Sequence, residues 1–181
     1  MDAVMSPSLR ARTWANPKIE LRQRCLLSAD FGVIVREAIT PGSVLMALAH
    51  VFVDRPGRHT IQIDARRHQA GTGEIDDYLN HSCDPNSALD FTRLELVSLR
   101  KITPGEELSF NYLTSEWDMA APFACQCGAC DRLGGRPGPR LIRGFRHLSP
   151  GEQDLLAPLA PPHLRLRLAE LRATHGRGLT G

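Results

Sequence analysis

The sequence predicts a mostly β domain followed by a short α-helical tail. Short apolar runs separated by turn residues extend from residue 19 to Tyr112, and this stretch has no segment with helical periodicity. Thr-Pro-Gly occurs at 40–42 and again at 103–105. Each copy predicts a type II turn, because proline presets φ at the second position and glycine accepts the positive φ of the third. Leucines at helical spacing follow residue 149.

Five runs are predicted to form the strands of the β domain. They consist of apolar and β-branched residues bounded by turn signals, and they lie at 32–35, 44–48, 61–64, 94–99 and 107–110. The run at 94–99 alternates apolar and polar residues, which predicts a strand with one buried face.

Two helices are predicted in the tail. Ser149-Pro150-Gly151-Glu152 has an N-cap serine, a proline at the first helical position and a glutamate three residues after the serine, which is a capping box. The first helix should place three leucines on one face, Leu155, Leu156 and Leu159. The second should begin near His163, end at Gly176 and bury Leu164, Leu168 and Leu171. Arg165 and Arg167 are expected on its solvated face, and 134–139 is expected to be a linker.

Composition and charge limit the functional classes. A chain of 181 residues suits one domain with a small appendage, and 22 basic against 20 acidic residues give a net charge of only +2. We therefore expect no direct nucleic-acid binding, which usually needs a basic footprint. No apolar run is long enough for a membrane span, and residues 1–12 lack the apolar core of a signal peptide. These features predict a cytoplasmic protein without membrane contact, and they do not predict the oligomeric state.

Three of the five cysteines form a compact cluster that predicts a metal site. Cys125, Cys127 and Cys130 supply three thiols within six residues, one fewer than a closed tetrahedral zinc site requires. Cys83 is the natural fourth ligand and His81 is the alternative. An iron–sulfur cluster is disfavoured because its cysteines are usually spaced more widely. Cys25 stands alone and is expected to be a buried apolar residue.

Three motifs carry a resemblance to a known family. Residues 80–86, Asn-His-Ser-Cys-Asp-Pro-Asn, are followed at 105–112 by Gly-Glu-Glu-Leu-Ser-Phe-Asn-Tyr and at 123–130 by Phe-x-Cys-x-Cys-Gly-x-Cys. In this order they resemble the two SET motifs and the post-SET zinc motif of SET-domain protein lysine methyltransferases. The resemblance covers roughly residues 19 to 133. Asp30 stands where the first motif of the family has a glycine, while Gly32 keeps the second one.

The resemblance implies a β-clip fold with a knot-like crossing and S-adenosylmethionine as cofactor. It implies cofactor contacts at six positions, namely Phe31, Gly32, Asn80, His81, Tyr112 and Phe123. Tyr112 matches the active-site tyrosine of the family. It implies one structural zinc on the residues matching the family's four ligands, Cys83, Cys125, Cys127 and Cys130.

The expected function is methyl transfer from S-adenosylmethionine to a lysine of a protein substrate. Tyr112 suits an orienting role better than that of a base, because an ordinary phenol titrates near pH ~10. Tyr78 is expected to pack in the core and Asn86 to form a turn. The expected divisions are a lead-in at 1–18, a SET domain at 19–115, a post-SET zinc segment at 116–133 and a helical extension at 134–181. Two alternatives remain: a non-catalytic SET module for protein–protein interaction, and a methyltransferase acting on a small amine. A zinc-stapled nucleic-acid binder is disfavoured because the chain has no basic stripe.

Overall fold

Short strands dominate the first two thirds of the chain, and two α-helices follow them. The computed structural model describes residues 14–24, 30–130 and 139–177. The strands in these ranges are β1 (Ile19–Gln23), β2 (Phe31–Val35), β3 (Val44–Ala47), β4 (Phe52–Val53), β5 (Ile61–Gln62), β6 (His68–Gln69), β7 (Asn80–His81), β8 (Ser87–Asp90), β9 (Glu95–Ser98), β10 (Ser109–Phe110), β11 (Phe123–Ala124) and β12 (Leu141–Ile142). The helices are α1 (Pro150–Leu156) and α2 (Pro162–Arg177). The mostly β fold with a helical tail is confirmed.

Each of the five predicted runs contains a strand, and the other strands were not predicted. Most of the additional strands are two residues long, as in β7 and β11, and a two-residue strand has no alternation for a sequence pattern to display. Both predicted turn glycines have positive φ, 77° at Gly42 and 90° at Gly105, as the turn prediction requires.

The strands form small sheets around one apolar core. Antiparallel pairing joins β1 with β2 and β11 with β12, and in the two three-stranded sheets it joins the central β9 with β3 and β8 and the central β6 with β4 and β5. Fully buried side chains from several of these sheets meet in the core, including Val33, Leu45, Met46, Leu96 and Leu108. The core therefore fixes the sheets relative to one another although each is small.

The segments 80–86 and 105–112 meet in a parallel strand pair. Strand β7 lies beside β10, with Asn80 opposite Ser109 and His81 opposite Phe110. Asn86 is buried and reinforces this pairing: its Nδ2 donates to the Glu107 carbonyl at 2.8 Å and its Oδ1 accepts from Ser109 N–H at 3.0 Å. The prediction that Asn86 forms a local turn is wrong, because its side chain instead satisfies the backbone of the second segment.

Helix α1 begins as predicted, but its buried face differs from the prediction. The capping box is present, with the Ser149 hydroxyl accepting from Glu152 N–H and the Glu152 carboxylate accepting from Ser149 N–H. Leu156 is buried, whereas Leu155 and Leu159 are 57% and 69% exposed. The shared leucine face is wrong: Leu155 and Leu156 are consecutive in α1 and therefore point in different directions, and Leu159 lies in the 3-10 turn that follows.

Helix α2 buries Leu164 and Leu168 as predicted, whereas Leu171 is only half-buried. It continues through Gly176 to Arg177, so the predicted stop is wrong. A glycine inside a helix costs only about 1 kcal/mol relative to alanine, which does not require the helix to end there.

Arg167 attaches α2 to the β domain. Its guanidinium donates to the Ala65 carbonyl at 2.7 Å and lies 5.9 Å from the centroid of the Trp117 ring. The prediction of a solvated arginine is wrong for Arg167, because its long side chain reaches back across the domain, whereas Arg165 is exposed.

In a second apolar cluster, the tail packs against the cysteines of the predicted metal site. Buried residues of the tail, among them Ile142, Phe145 and Leu164, pack in one cluster with Cys83 and Leu113. The tail is thus part of the packed structure around the candidate site.

Cys25 and residues 134–138 of the predicted linker lie outside the described residues. None of the helices in the described ranges has the length and hydropathy of a membrane span. The division into four segments stays a prediction.

Candidate active site

Asn80 and Gly32 lie at one end of the candidate site, and Glu107 connects them. The Asn80 amide donates to the Phe31 carbonyl at 2.9 Å and to Glu107 Oε1 at 2.7 Å. A Cβ atom added to Gly32 would lie 2.5 Å from the same Glu107 Oε1. Real Cβ atoms essentially never approach another heavy atom this closely. Glycine is therefore required at position 32 as long as Glu107 holds Asn80.

Glu107 was missed as a site residue in the sequence, although it lies in the second motif. Arg24 donates to its Oε1 at 3.3 Å, so this carboxylate accepts from two side chains. The Phe31 ring, in turn, makes an edge contact with Tyr78 at 5.5 Å between centroids. Tyr78 packs against the apolar core, as predicted.

His81 links the tyrosine segment to the cysteine cluster. Its Nδ1 accepts from Tyr112 N–H at 3.1 Å, and its Nε2 lies 3.4 Å from Cys83 Sγ. Burial, assisted by the positive charge of Arg140, lowers the pKa of His81 to about 4. The ring is therefore neutral at pH 7 and, since Nδ1 accepts, its proton lies on Nε2, facing the sulfur. This arrangement gives His81 a bridging role and leaves Cys83 to complete the group of thiols.

Tyr112 lies at the start of a 3-10 helix directly after β10. The Asn111 side chain caps this helix by accepting from Leu113 N–H at 3.0 Å. The Tyr112 hydroxyl donates to the Leu79 carbonyl at 2.5 Å. Burial of the phenol raises the pKa of Tyr112, and the nearby charges of Glu116 and Glu107 raise it further. The phenol is thus protonated at neutral pH and acts as a hydrogen-bond donor.

Aromatic rings surround Tyr112. Its ring centroid lies 5.3 Å from that of His81, 4.8 Å from that of Phe110 and 5.9 Å from that of Phe123. Phe123 also contacts His81 at 5.8 Å. The three positions predicted by resemblance in this region, His81, Tyr112 and Phe123, therefore form one packed group. The structure places Phe31, Gly32 and Asn80 in a second group, and the β7–β10 pair connects the two.

Four cysteines converge into a group that fits a tetrahedral metal ion. The Sγ atoms of Cys83, Cys125, Cys127 and Cys130 all lie within 4.8 Å of one another. The Sγ atoms of Cys83 and Cys127 each lie 3.9 Å from that of Cys130. Zinc–sulfur bonds of about 2.3 Å in a regular tetrahedron imply sulfur–sulfur edges of about 3.8 Å. The geometry is therefore compatible with zinc.

The surroundings of Cys127 favour its thiolate, whereas those of Cys83 and Cys125 favour the protonated thiol unless a cation is bound. Backbone N–H groups of Cys83 and Ala129 donate to Cys127 Sγ, both at 3.4 Å. Burial alone would raise the pKa of Cys127, but these donors and neighbouring thiols lower it to about 7. Burial and the charges of neighbouring cysteines raise the pKa of Cys83, and burial raises that of Cys125 to about 12. Since four thiolates at these distances repel one another, their joint ionisation requires a bound cation.

An open cleft lies beside Tyr112. The lining residues include Asp76, Asp77, Leu79, Phe110, Tyr112 and Glu116. Glu116 is only 6% exposed, and burial raises its pKa to about 7, although hydrogen bonds from Gln62 and Ser115 oppose the shift. Glu116 was not predicted as a site residue, and its position four residues after Tyr112 was the available signal.

A family model for the SET domain matches residues 20–113, just over half of the chain. The chain belongs to the SET-domain family.

Two curated relatives illustrate the similarity. Methyltransferase flvH of Aspergillus flavus is 40% identical over 86 residues, which cover 44% of this chain and 48% of the relative. The histone-lysine N-methyltransferase EHMT1 of Homo sapiens is 35% identical over 78 residues, which cover 37% of this chain and 6% of the relative. The matches therefore span about half of the fungal protein and a small part of the human one.

A solved structure shares the fold. The crystal structure of KRYPTONITE in complex with mCHH DNA, H3(1-15) peptide and SAH superposes with a TM-score of 0.50 at 22% identity, covering 62% of this chain and 28% of that one. At this identity the likeness shows the fold alone. Because that complex contains DNA, the expectation of no direct nucleic-acid binding stays a prediction.

Proposed function

We propose that this SET domain transfers a methyl group from S-adenosylmethionine to a lysine side chain of a protein. The observation that carries the proposal is the position of Tyr112, whose ring packs with the two motif strands and also lines an open cleft. Such a site has one side for the cofactor and another for the acceptor. The names of the human and other relatives, which are histone-lysine methyltransferases, support a lysine acceptor. The name of the fungal relative specifies no acceptor.

The chemistry assigned to Tyr112 is orientation of the acceptor. Methyl transfer from a sulfonium to an amine is an in-line displacement, so much of the rate derives from holding the reacting atoms in line. The Tyr112 phenol keeps its proton and is held by the Leu79 carbonyl, so it presents a fixed dipole next to the cleft. A lysine with a pKa near 10.4 must also lose a proton, at a cost of about 4 kcal/mol at neutral pH. Desolvation and the cationic sulfonium both lower that cost.

The residues proposed to hold the cofactor are the two groups joined by β7 and β10. They are Phe31, Gly32 and Asn80 in one group and His81, Tyr112 and Phe123 in the other. The side chain of Asn80 is fixed by two hydrogen bonds from its amide, to the Phe31 carbonyl and to Glu107. When bound, the cofactor supplies an electrophilic methyl carbon.

The four cysteines are proposed to hold one structural zinc ion. Four protein sulfurs leave no coordination position for water or substrate, so the ion would have no part in the displacement. Its proposed effect is to fix the segment from Phe123 to Cys130 against the Cys83 loop, beside His81. A cytoplasmic location also remains a proposal.

Labelled S-adenosylmethionine tests the function. Purified wild-type protein and Tyr112→Phe are incubated with the labelled cofactor and a cell extract, and the product is hydrolysed to identify methylated amino acids. We expect methyl-lysine in protein with the wild type and a loss of about 100-fold or more with the variant. Cofactor affinity, measured separately, should change little, since phenylalanine keeps the ring packing.

Each other outcome excludes the proposal in a distinct way. Label in a small-molecule fraction would assign a small amine as the acceptor. Cofactor binding without any label transfer would identify a non-catalytic module.

A further inference from the structure

We propose that Glu116 takes up the proton that the acceptor amine must lose before it is methylated. This inference rests on the proposed function, because it concerns the acceptor side of the same site. It adds a proton acceptor that the three motifs do not contain, since Glu116 lies between the motifs at 105–112 and 123–130.

The backbone fixes Glu116 next to Tyr112. Glu116 N–H donates to the Tyr112 carbonyl at 2.9 Å, and the Glu116 carbonyl accepts from Phe145 N–H at 2.8 Å. The 3-10 helix on one side and the tail on the other therefore hold the residue in place. Both Glu116 and Tyr112 line the cleft, and the charge of Glu116 is close enough to raise the pKa of the Tyr112 phenol.

The carboxylate of Glu116 has one engaged oxygen and one available oxygen. Its Oε1 accepts from Gln62 N–H at 2.7 Å and from the Ser115 hydroxyl at 3.3 Å. Within the described residues, Oε2 has no hydrogen-bond partner, although the residue is only 6% exposed. Because Glu116 lines the cleft, a donor that enters the cleft can bind this oxygen.

The other ionisable groups of the cleft are less suited to the task. Asp76 Oδ2 accepts from Ala49 N–H, and Asp77 Oδ2 accepts from the N–H groups of Thr72 and Gly73. These two carboxylates therefore serve the surrounding loops. Arg58 and His59 line the cleft from the opposite segment, and within the described residues neither forms a hydrogen bond with Glu116. His163 of α2 is engaged in a hydrogen bond with the Ser115 backbone.

The acidity of Glu116 suits a proton acceptor at neutral pH. Burial raises its pKa to about 7, whereas an ordinary glutamate would be too weak a base. General bases work best when their pKa is near the operating pH. Tyr112 is the opposite case, because its raised pKa keeps the phenol protonated. The two residues would thus divide the work, with Tyr112 orienting the amine and Glu116 receiving its proton.

The proposed step transfers one proton to Glu116 and one methyl group to the acceptor nitrogen. One N–H bond of the acceptor ammonium breaks and its proton goes to Glu116 Oε2. The freed nitrogen lone pair forms a bond to the methyl carbon while the carbon–sulfur bond of the sulfonium breaks, and that electron pair stays on sulfur. The products are a methylated ammonium and S-adenosylhomocysteine, and Glu116 then releases its proton to solvent.

Glu116→Gln tests the step through its pH dependence. Glutamine keeps an oxygen for Gln62 N–H and Ser115, so the fold should persist. Single-turnover rates are measured from roughly pH 6 to 9 on a lysine-containing peptide that the wild type methylates. We expect the wild-type rate to rise through an apparent pKa near 7 and level off. The variant should be about 100-fold slower at neutral pH and should keep rising with pH as free amine accumulates.

Glu106→Gln is the matched control. Glu106 forms an ion pair with Arg100 at 2.7 Å in the turn after residue 103, and hydrogen bonds from Arg100 and Thr103 lower its pKa to about 2. Removing its charge should leave the pH profile unchanged. If the single-turnover rate of Glu116→Gln still rises and levels off near pH 7 as in the wild type, the inference is wrong while the lysine methyltransferase function stands.

A second measurement decides the inference even if the wild type methylates no protein. Carbon-13 NMR follows the Glu116 carboxyl in the full chain bound to S-adenosylhomocysteine, with n-butylammonium as the probe. We expect titration near pH 7 without the probe and at lower pH with it, because a bound cation favours the carboxylate. A titration that the probe does not shift would overturn the inference.

Discussion

Gly32→Ala tests how the cofactor side of the site is held. The added Cβ would lie 2.5 Å from Glu107 Oε1 and 2.9 Å from Glu107 Cδ. The Glu107 carboxylate must therefore move away, and it cannot then keep its 2.7 Å hydrogen bond from Asn80. Asn80 would retain only the Phe31 carbonyl as an acceptor.

The expected loss follows from that hydrogen bond. A hydrogen bond to a charged group is worth about 1.5–3 kcal/mol, and the exposed contact between Arg24 and Glu107 adds less than about 1 kcal/mol. If the loss appears in cofactor binding, the affinity for S-adenosylmethionine should fall roughly 10- to 100-fold, since 1.4 kcal/mol corresponds to a factor of about ten. Isothermal titration calorimetry measures this affinity, and metal content should stay the same.

Two further variants test the cause. Gly151→Ala is the matched control, because a Cβ at that position meets nothing within 4 Å. In a Glu107→Ala background the colliding carboxylate is absent, so Gly32→Ala should then have little additional effect. An equal loss of affinity in both backgrounds would refute the reasoning, as would full affinity in Gly32→Ala alone.

Three more predictions concern metal, tail and acidity. Cys83→Ser should reduce bound zinc below one ion per chain and weaken cofactor binding, as measured by elemental analysis and calorimetry; a full zinc complement would contradict the four-sulfur site. Arg167→Ala should cost about 1–3 kcal/mol and speed proteolysis of the tail, whereas the exposed Arg165→Ala should not. Since the pKa of Glu116 is raised on folding from 4.5 to about 7, stability should fall as pH rises between these values. Glu116→Gln should remove that fall, worth about 3 kcal/mol, and denaturant unfolding at pH 5 and pH 8 measures it; an equal fall in the variant would show that other groups cause it.

The sequence was informative where residues act as a local set. The capping box at Ser149 and the two Thr-Pro-Gly turns depend on neighbours within four residues, and all are present. The family motifs also placed the chain among SET domains, because they fix residue types that meet at one site. Three cysteines within six residues were enough to predict a metal site, and the structure brings their thiols together with that of Cys83.

Three of the misses depend on distant contacts. In the sequence, Arg167 is indistinguishable from an ordinary surface arginine, because its hydrogen-bond partner Ala65 lies about one hundred positions earlier. Asn86 satisfies the backbone at residues 107 and 109. Glu116 is buried by residues of another segment and by the tail, and no local pattern marks a glutamate for burial. Strand and helix ends, such as Gly176, were missed because packing outweighs propensities of about 1 kcal/mol.

The parallel pairing of β7 with β10 has a consequence for folding kinetics. Its partners lie 29 positions apart, so the chain must close a long loop before the pair forms any hydrogen bond. Non-local parallel pairing of this kind slows folding, because loop entropy is lost before contacts compensate for it. The tyrosine, the asparagine and the fourth cysteine should therefore reach their positions together, late and in one cooperative step. In native-state hydrogen exchange, the amide of Ser82, which donates to the Phe110 carbonyl, should exchange only when the whole domain opens.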